Sequence, residues 1–407
     1  MGIGESLGRS RRKANGRGYP RQTVGRVGLS YKRDGMNTEI RPENKTARID
    51  LPGLLAMRCY AALSIVLFHM VWLTKLEIPH YLGFVRSHFG YGVPLFFIVS
   101  AFGLFVGYSS KIGSRDDLRE YYLRRFLRIA PLFYFMMAFY FPLYWMFGAA
   151  QFPTSPFALG YVVSSALFIF NLTPQYVTGY VMASWTIGIE MAFYAILPLL
   201  VFAVTDLTRS LVFLAVVVFV TVSWDAAFQG TTGPIAAFGG YSLVGHMVNF
   251  AAGIAGYHVW LKLRQTSPLA GQAVFGVSLL AVIGLIDFSA YIPGLGGRVA
   301  WAVALAGAVV GVSLHPARWF VNRVAMTLGN ASFSLYLWHP VVLVGLERCG
   351  LYRTIYSAFS GASVPFFVST ICTLAVLIPL ALVSYRYIER PGMGLAKRLS
   401  RRSLAGS

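Results

Sequence analysis

The sequence predicts an all-α integral membrane protein, a bundle of about ten transmembrane helices with both termini cytoplasmic. Three observations carry this. The mean hydropathy is +0.61, and charged residues make up only 12% of the 407-residue chain, against about 25% in soluble globular domains. Apolar runs close to the ~20 residues that cross a bilayer as a helix recur along the chain. The net charge of +20 is concentrated outside those runs, and basic flanks mark cytoplasmic sides.

Residues 1–49, with Lys and Arg from Arg9 to Arg48, read as a basic, disordered cytoplasmic segment. Residues 50–392 form the multi-span domain, and 393–407, with Lys397, Arg398, Arg401 and Arg402, form a basic cytoplasmic tail. The basic residues are scattered among Gly, Ser and Asn with little aromatic interleaving. That pattern suits orientation and anionic lipid headgroups of the bilayer rather than nucleic acid.

Within the domain, apolar runs fall at 53–74, 91–110, 129–148, 157–171, 185–204, 210–228, 243–262, 268–287, 297–314, 331–346 and 364–385. An odd number of spans would put the basic tails on opposite sides. The weakest run, 157–171, is short and bounded by Pro153, Pro156 and Pro174, so it is expected not to cross. The remaining ten place 111–128, 206–209, 262–264 and 318–323 inside, each carrying Lys or Arg. The outside loops are poorer in basic residues, although Lys75, Arg86, Arg348 and Arg353 fall there. Cys59, Cys349 and Cys372 lack metal-ligand spacing and read as membrane-embedded small apolar residues, so no metal is expected.

Polar groups inside apolar runs are where chemistry is expected, because an ionisable group at membrane depth costs on the order of 2.5 kcal/mol or more. Arg58 and His69, eleven residues apart in the first run, share one helix face about 16 Å apart along the axis. In Arg125-x-x-Arg128 the two cations share a face. They either grip phosphate or hold the helix end at the interface. Glu190, in Ser184-Trp185-x-x-x-x-Glu190, lies in the outer half of its span, at the depth of His69. Glu190 is either the orienting partner of a His69 base, if the helices are neighbours, or a structural carboxylate bonded to backbone or to Tyr and Ser hydroxyls. Tyr336 and His339 share a face in Ser334-Leu-Tyr336-Leu-Trp-His339-Pro340, where packing is the more common role for such a histidine. Glu389, in Glu389-Arg390-Pro391, reads as a local Glu–Arg pairing that stops the last span at the cytoplasmic interface.

Taken in order, these motifs together with Gly92-Val-Pro-Leu-Phe-Phe-Ile-Val-Ser100-Ala101-Phe102 resemble the acyltransferase 3 family of bacterial membrane O-acyltransferases, the polysaccharide and exopolysaccharide O-acetylase type. The likeness runs over 50–392. It implies a ten-helix bundle in the cytoplasmic membrane that takes an acyl group, usually acetyl, from acyl-CoA and places it on a carbohydrate hydroxyl. Acyl-CoA is then a co-substrate and no cofactor is bound permanently. The resemblance makes His69 the catalytic residue, with Glu190 in the family's Trp-Ser-Leu-x-x-Glu pattern, and gives Arg58, Arg125 and Arg128 the donor. Ser100, Trp185, Tyr336, His339 and Glu389 are left as structural or substrate-facing positions. The chain departs from the pattern at Thr186 and Ile187, which replace Ser-Leu, and at Ala101, which replaces Gly.

The residues agree with that chemistry. O-acylation needs a base for a sugar hydroxyl attacking a thioester, and His suits this near neutral pH. Arginines at one face hold the phosphates while the pantetheine arm spans the roughly 16 Å to His69. The alternative from another class is a proton-coupled secondary transporter using His69 and Glu190. It lacks an evident repeat or paired broken helices here. The other large membrane O-acyltransferase family, built on His and Asn, ranks third for want of an Asn partner.

Overall fold

The computed structural model describes residues 51–148, 157–288, 291–292 and 294–405. The basic segment 1–49 lies outside them. Among the described residues every regular element is a helix.

The chain enters α1 (Pro52–Thr74) at a proline in the first turn, where the missing N–H costs nothing. A short α2 (Gly83–His88) lies in the loop before α3 (Gly92–Tyr108). Next comes α4 (Arg115–Phe147), which starts well before the apolar run does. Its start is set by a capping box: Ser114 Oγ accepts from the Asp117 N–H at 3.2 Å, and the Asp117 carboxylate accepts from the Ser114 N–H at 2.9 Å. The segment expected as an inside loop over 111–128 is therefore mostly helix, and Arg125 and Arg128 are full helical residues. The run at 157–171 yields only α5 (Leu159–Ala166), eight residues long. At about 1.5 Å per residue it is too short to cross.

Then follow α6 (Trp185–Ala203), α7 (Leu207–Phe228), the short α8 (Gly233–Gly240), α9 (Leu243–Leu263), α10 (Pro268–Phe288) and α11 (Gly294–Leu314). After them come α12 (Arg323–Asn330), α13 (Ser332–Arg348), α14 (Leu351–Ala358) and α15 (Ser363–Ser384). Eight helical stretches among the described residues are long and apolar enough to cross a membrane. Neither α9 nor α13 is among them; α13 has only 17 residues. Helix α9 buries residues on all sides, from Gly245 to Trp260, including Asn249 and His258. Helix α7 buries only Ser210, Val217 and Thr221, a narrow stripe on an otherwise outward-facing apolar cylinder.

The last long helix does not stop at Glu389 as its sequence suggested. After Ser384 a π turn, Tyr385–Glu389, leads directly into α16 (Arg390–Ala405). The Arg390 N–H donates to the Tyr385 carbonyl five residues back. This wide turn accommodates Pro391, which has no N–H to give. Cys59 is buried, Cys372 partly so, and Cys349 is exposed at the end of α13.

Helix α1 is central, packed on α3, α12 and α13. Glycine sets the closest approach. A Cβ at Gly329 would lie 2.6 Å from the Leu55 carbonyl carbon and closer still to its oxygen, so α12 rests its backbone on α1. This contact fixes the end of α1 that carries Arg58.

Candidate active site

Helices α1 and α13 run parallel and are joined at two levels. At the first, Arg58 Nε donates to Ser332 Oγ at 3.1 Å. At the second, His69 Nδ1 lies 3.1 Å from His339 Nε2 and 3.2 Å from the Ile65 carbonyl oxygen. His339 is fully buried, and its Nδ1 sits on the carbonyl oxygen of Tyr336. His69 is half-buried. Its Nε2 makes no hydrogen bond to any described residue. The two imidazole centroids are 4.9 Å apart.

The Arg58 level is the richest in charge. The guanidinium lies 5.9 Å from the Phe96 ring centre, within the electrostatic reach of Glu190, Glu389 and Arg128. Glu190 Oε1 accepts from Ser100 Oγ at 2.8 Å and, through a very short bond, from Tyr194 OH. Arg125 lies near Tyr194 and Tyr108, 5.8 and 5.4 Å from their ring centres, and its Nη2 donates to Tyr108 OH at 3.2 Å. Among the described residues Arg128 Nη1 reaches only the Met393 thioether, at 3.3 Å. Glu389 is fully buried. Its Oε2 accepts from Ser334 Oγ at 3.0 Å, while Oε1 has no partner among the described residues. No ion pair joins these charges among the described residues. Their attraction acts across gaps, which leaves donors available.

The expected local pairing of Glu389 with a neighbouring arginine is therefore not formed. The π turn swings its carboxylate into the bundle against α13 instead. The expected approach of Glu190 to His69 is not formed either: Glu190 is held by α3 and by its own helix, and His69 by α13. The two arginines of the RxxR motif share a helix but reach different partners, one aromatic and one sulfur.

At the Arg58 level lies a cavity lined by Arg58, Phe96, Thr186, Glu190, Ser332 and Tyr336, among others. Tyr336 closes it on the histidine side. Its hydroxyl donates to the Ala183 carbonyl at 2.7 Å and accepts from Thr186 Oγ1 at 2.8 Å. Thr186, where the sequence departs from the expected Ser, thus supplies the same hydroxyl donor. Trp185 is not part of this lining. It stacks on Tyr241 with centroids 4.5 Å apart and lies 5.3 Å from His246.

Ser332, Tyr194 and Met393 belong to the site but were not singled out from sequence. Tyr194 was open to detection, four residues after Glu190 and hence on the same face. Ser332 and Met393 meet their arginines only through the fold. No group of three or more His, Cys, Asp or Glu residues placed to hold a metal occurs among the described residues.

The family described as "Acyltransferase domain", acyltransferase 3, matches residues 51–386. The chain is 28% identical over 335 residues to "Exopolysaccharide production protein ExoZ" of Rhizobium meliloti (strain 1021), covering 76% of this chain and 92% of that protein. It is 22% identical over 381 residues to "O-acetyltransferase OatA" of Staphylococcus aureus (strain NCTC 8325 / PS 47), covering 84% of this chain and 57% of that one. "Putative peptidoglycan O-acetyltransferase YrhL" of Bacillus subtilis (strain 168) is 23% identical over 376 residues, covering 84% and 54%. The chain therefore spans little more than half the length of the latter two. No solved structure gives a significant match.

Proposed function

The chain belongs to the acyltransferase 3 family, and from that premise we propose that it transfers an acetyl group from acetyl-CoA to a hydroxyl of an exported carbohydrate at the cytoplasmic membrane. The names of its relatives, which speak of exopolysaccharide production and O-acetyl transfer, support this acceptor class. The observation that carries the reading is the arrangement along α1. Arginines gather at one end, a cavity leads away from them, and beyond its far wall stands a histidine with one ring nitrogen unengaged.

In the proposed topology ten helices cross: α1, α3, α4, α6, α7, α9, α10, α11, α13 and α15. Residues 1–49 and 393–407 then flank the 50–392 domain on the cytoplasmic side. In this frame the Arg58, Arg125 and Arg128 level faces the cytoplasm, where acetyl-CoA is supplied. The residues fit a polyanion. Arg125 Nε is buried without an acceptor, and Arg128 spends a charged donor on a thioether. A phosphate would serve both better. Glu190 faces the same cavity, with one oxygen held by two hydroxyls, and positions the donor's polar arm or the acceptor.

In the reaction, His69 Nε2 takes the proton of the attacking sugar hydroxyl as its oxygen bonds to the thioester carbonyl carbon. The tetrahedral intermediate collapses with cleavage of the C–S bond, and the imidazolium returns the proton to the departing CoA sulfur. Charge is balanced at each step, and the base is regenerated. A base of this kind contributes roughly 10²–10⁴-fold.

The test is reconstitution. Purified protein in nanodiscs is given acetyl-CoA labelled in the acetyl group together with the glycan of the source cell. The expected result is label on the glycan as an ester released by mild alkali. A folded protein that forms no ester, yet moves a solute across proteoliposomes with a proton gradient, would contradict the reading.

A further inference from the structure

We propose that His339 is the positioning residue for His69: a neutral imidazole locked in one tautomer by a backbone carbonyl that Pro340 frees. This inference rests on the reading of His69 as the base. Its argument begins in the sequence. In an α-helix the carbonyl of Tyr336 accepts from the N–H four residues on, and that residue is Pro340, which has none. The orphaned oxygen lies inside α13, where an unmet acceptor is costly. His339 Nδ1 sits on it.

A carbonyl only accepts, so His339 Nδ1 carries a proton. Fully buried and bonded to neutral groups, His339 holds no second proton, because a charge there would lack a counter-ion. Its Nε2 is therefore a lone pair, aimed at His69 Nδ1 at 3.1 Å. His69 Nδ1 also faces the Ile65 carbonyl, at 3.2 Å. Two acceptors on one ring nitrogen fix the proton there. His69 Nε2 is then the basic lone pair, and it is the nitrogen without a partner among the described residues. One proline thus sets the protonation of two histidines.

The chain of bonds ends on a carbonyl, which cannot take a proton. His339 accordingly orients His69 and passes nothing on: the substrate proton arrives and leaves through His69 Nε2. This differs from an orienting carboxylate, which would also neutralise the imidazolium.

The experiment uses the full chain in nanodiscs and compares side chains by reach. His339→Gln places an oxygen near the Nε2 position and accepts from His69. His339→Asn ends near Nδ1, keeping the bond to Tyr336 but falling short of His69. His339→Leu has no acceptor at all. The expected result is a loss in kcat of about 100-fold for Asn and Leu, within about tenfold of wild type for Gln, and a KM for acetyl-CoA within twofold throughout. Pro340→Ala returns a competing N–H to Tyr336 and is expected to lower kcat severalfold. Normal turnover in the Asn variant, or equal loss in Gln and Asn, would overturn the proposal, and unchanged kcat in Pro340→Ala would remove the proline from it. His69→Ala is run in parallel. If it keeps turnover, the base reading itself fails; if it is inactive while His339→Asn is normal, only this inference fails.

Discussion

Replacing Gly329 by Ala tests how the fold holds Arg58. The added Cβ would sit 2.6 Å from the Leu55 carbonyl carbon, whereas ordinary contact begins at 3.4 Å. The backbones of α1 and α12 must therefore part by roughly 0.8 Å or more, since neither partner is a flexible side chain. Overpacking of this kind costs about 1–3 kcal/mol, and the better helix propensity of Ala returns at most about 1 kcal/mol. Arg58 lies one turn beyond Leu55, and Ser332 one turn beyond Gly329. The same displacement stretches the 3.1 Å Arg58–Ser332 bond past hydrogen-bonding range, a further loss of about 1.5–3 kcal/mol for a charged donor. The control is Gly345→Ala in α13, where an added Cβ meets nothing within 4 Å. Thermal unfolding in detergent, with acetyl-CoA titration by calorimetry, reads both effects. Gly329→Ala is expected to lower the midpoint by a few degrees and weaken donor binding, while Gly345→Ala changes neither. Equal behaviour of the two variants would refute the reasoning.

Two further outcomes follow from the site and its setting. Arg125→Gln with Arg128→Gln should weaken acetyl-CoA binding by about 1.5–3 kcal/mol per lost charge-assisted bond, and Lys at both positions should restore part of it; unchanged calorimetric affinity in the double Gln variant would remove the phosphate grip. In a chain with Cys59, Cys349 and Cys372 replaced, Lys111→Cys is expected to react with an impermeant thiol reagent only from the cytoplasmic side and Gln175→Cys only from outside; the reverse pattern would invert the topology.

The long helices were legible because apolar runs of spanning length have few other uses. Each of the ten runs taken as spans overlaps a long helix in the structure. What escaped was at their ends. Helix α4 begins at Arg115 because of Ser114 and Asp117, a local signal that was readable but hidden behind a charged stretch that does not look like a span. Glu389 followed by Pro391 reads locally as a stop, whereas the chain accommodates Pro391 in a π turn and continues, with Glu389 turned towards Ser334 on α13. Within the site, periodicity correctly placed Arg58 and His69 on a common helix and Tyr336 and His339 on another. It could not supply the partners across helices: Ser332 for Arg58, His339 for His69, Ser100 for Glu190. Those pairings are separated by 90 residues or more, and sequence spacing says nothing about them.

The central claim, that His69 is the base, is tested most directly by His69→Ala. The side chain is half-buried between Phe68 and His339, and a small apolar residue fits there without adding polarity. Acetyl transfer to the glycan is measured beside acetyl-CoA affinity on the same purified protein. The account predicts that transfer falls by at least about 10²-fold while donor affinity stays within twofold of wild type. Transfer near the wild-type rate in a folded, donor-binding His69→Ala protein would contradict it.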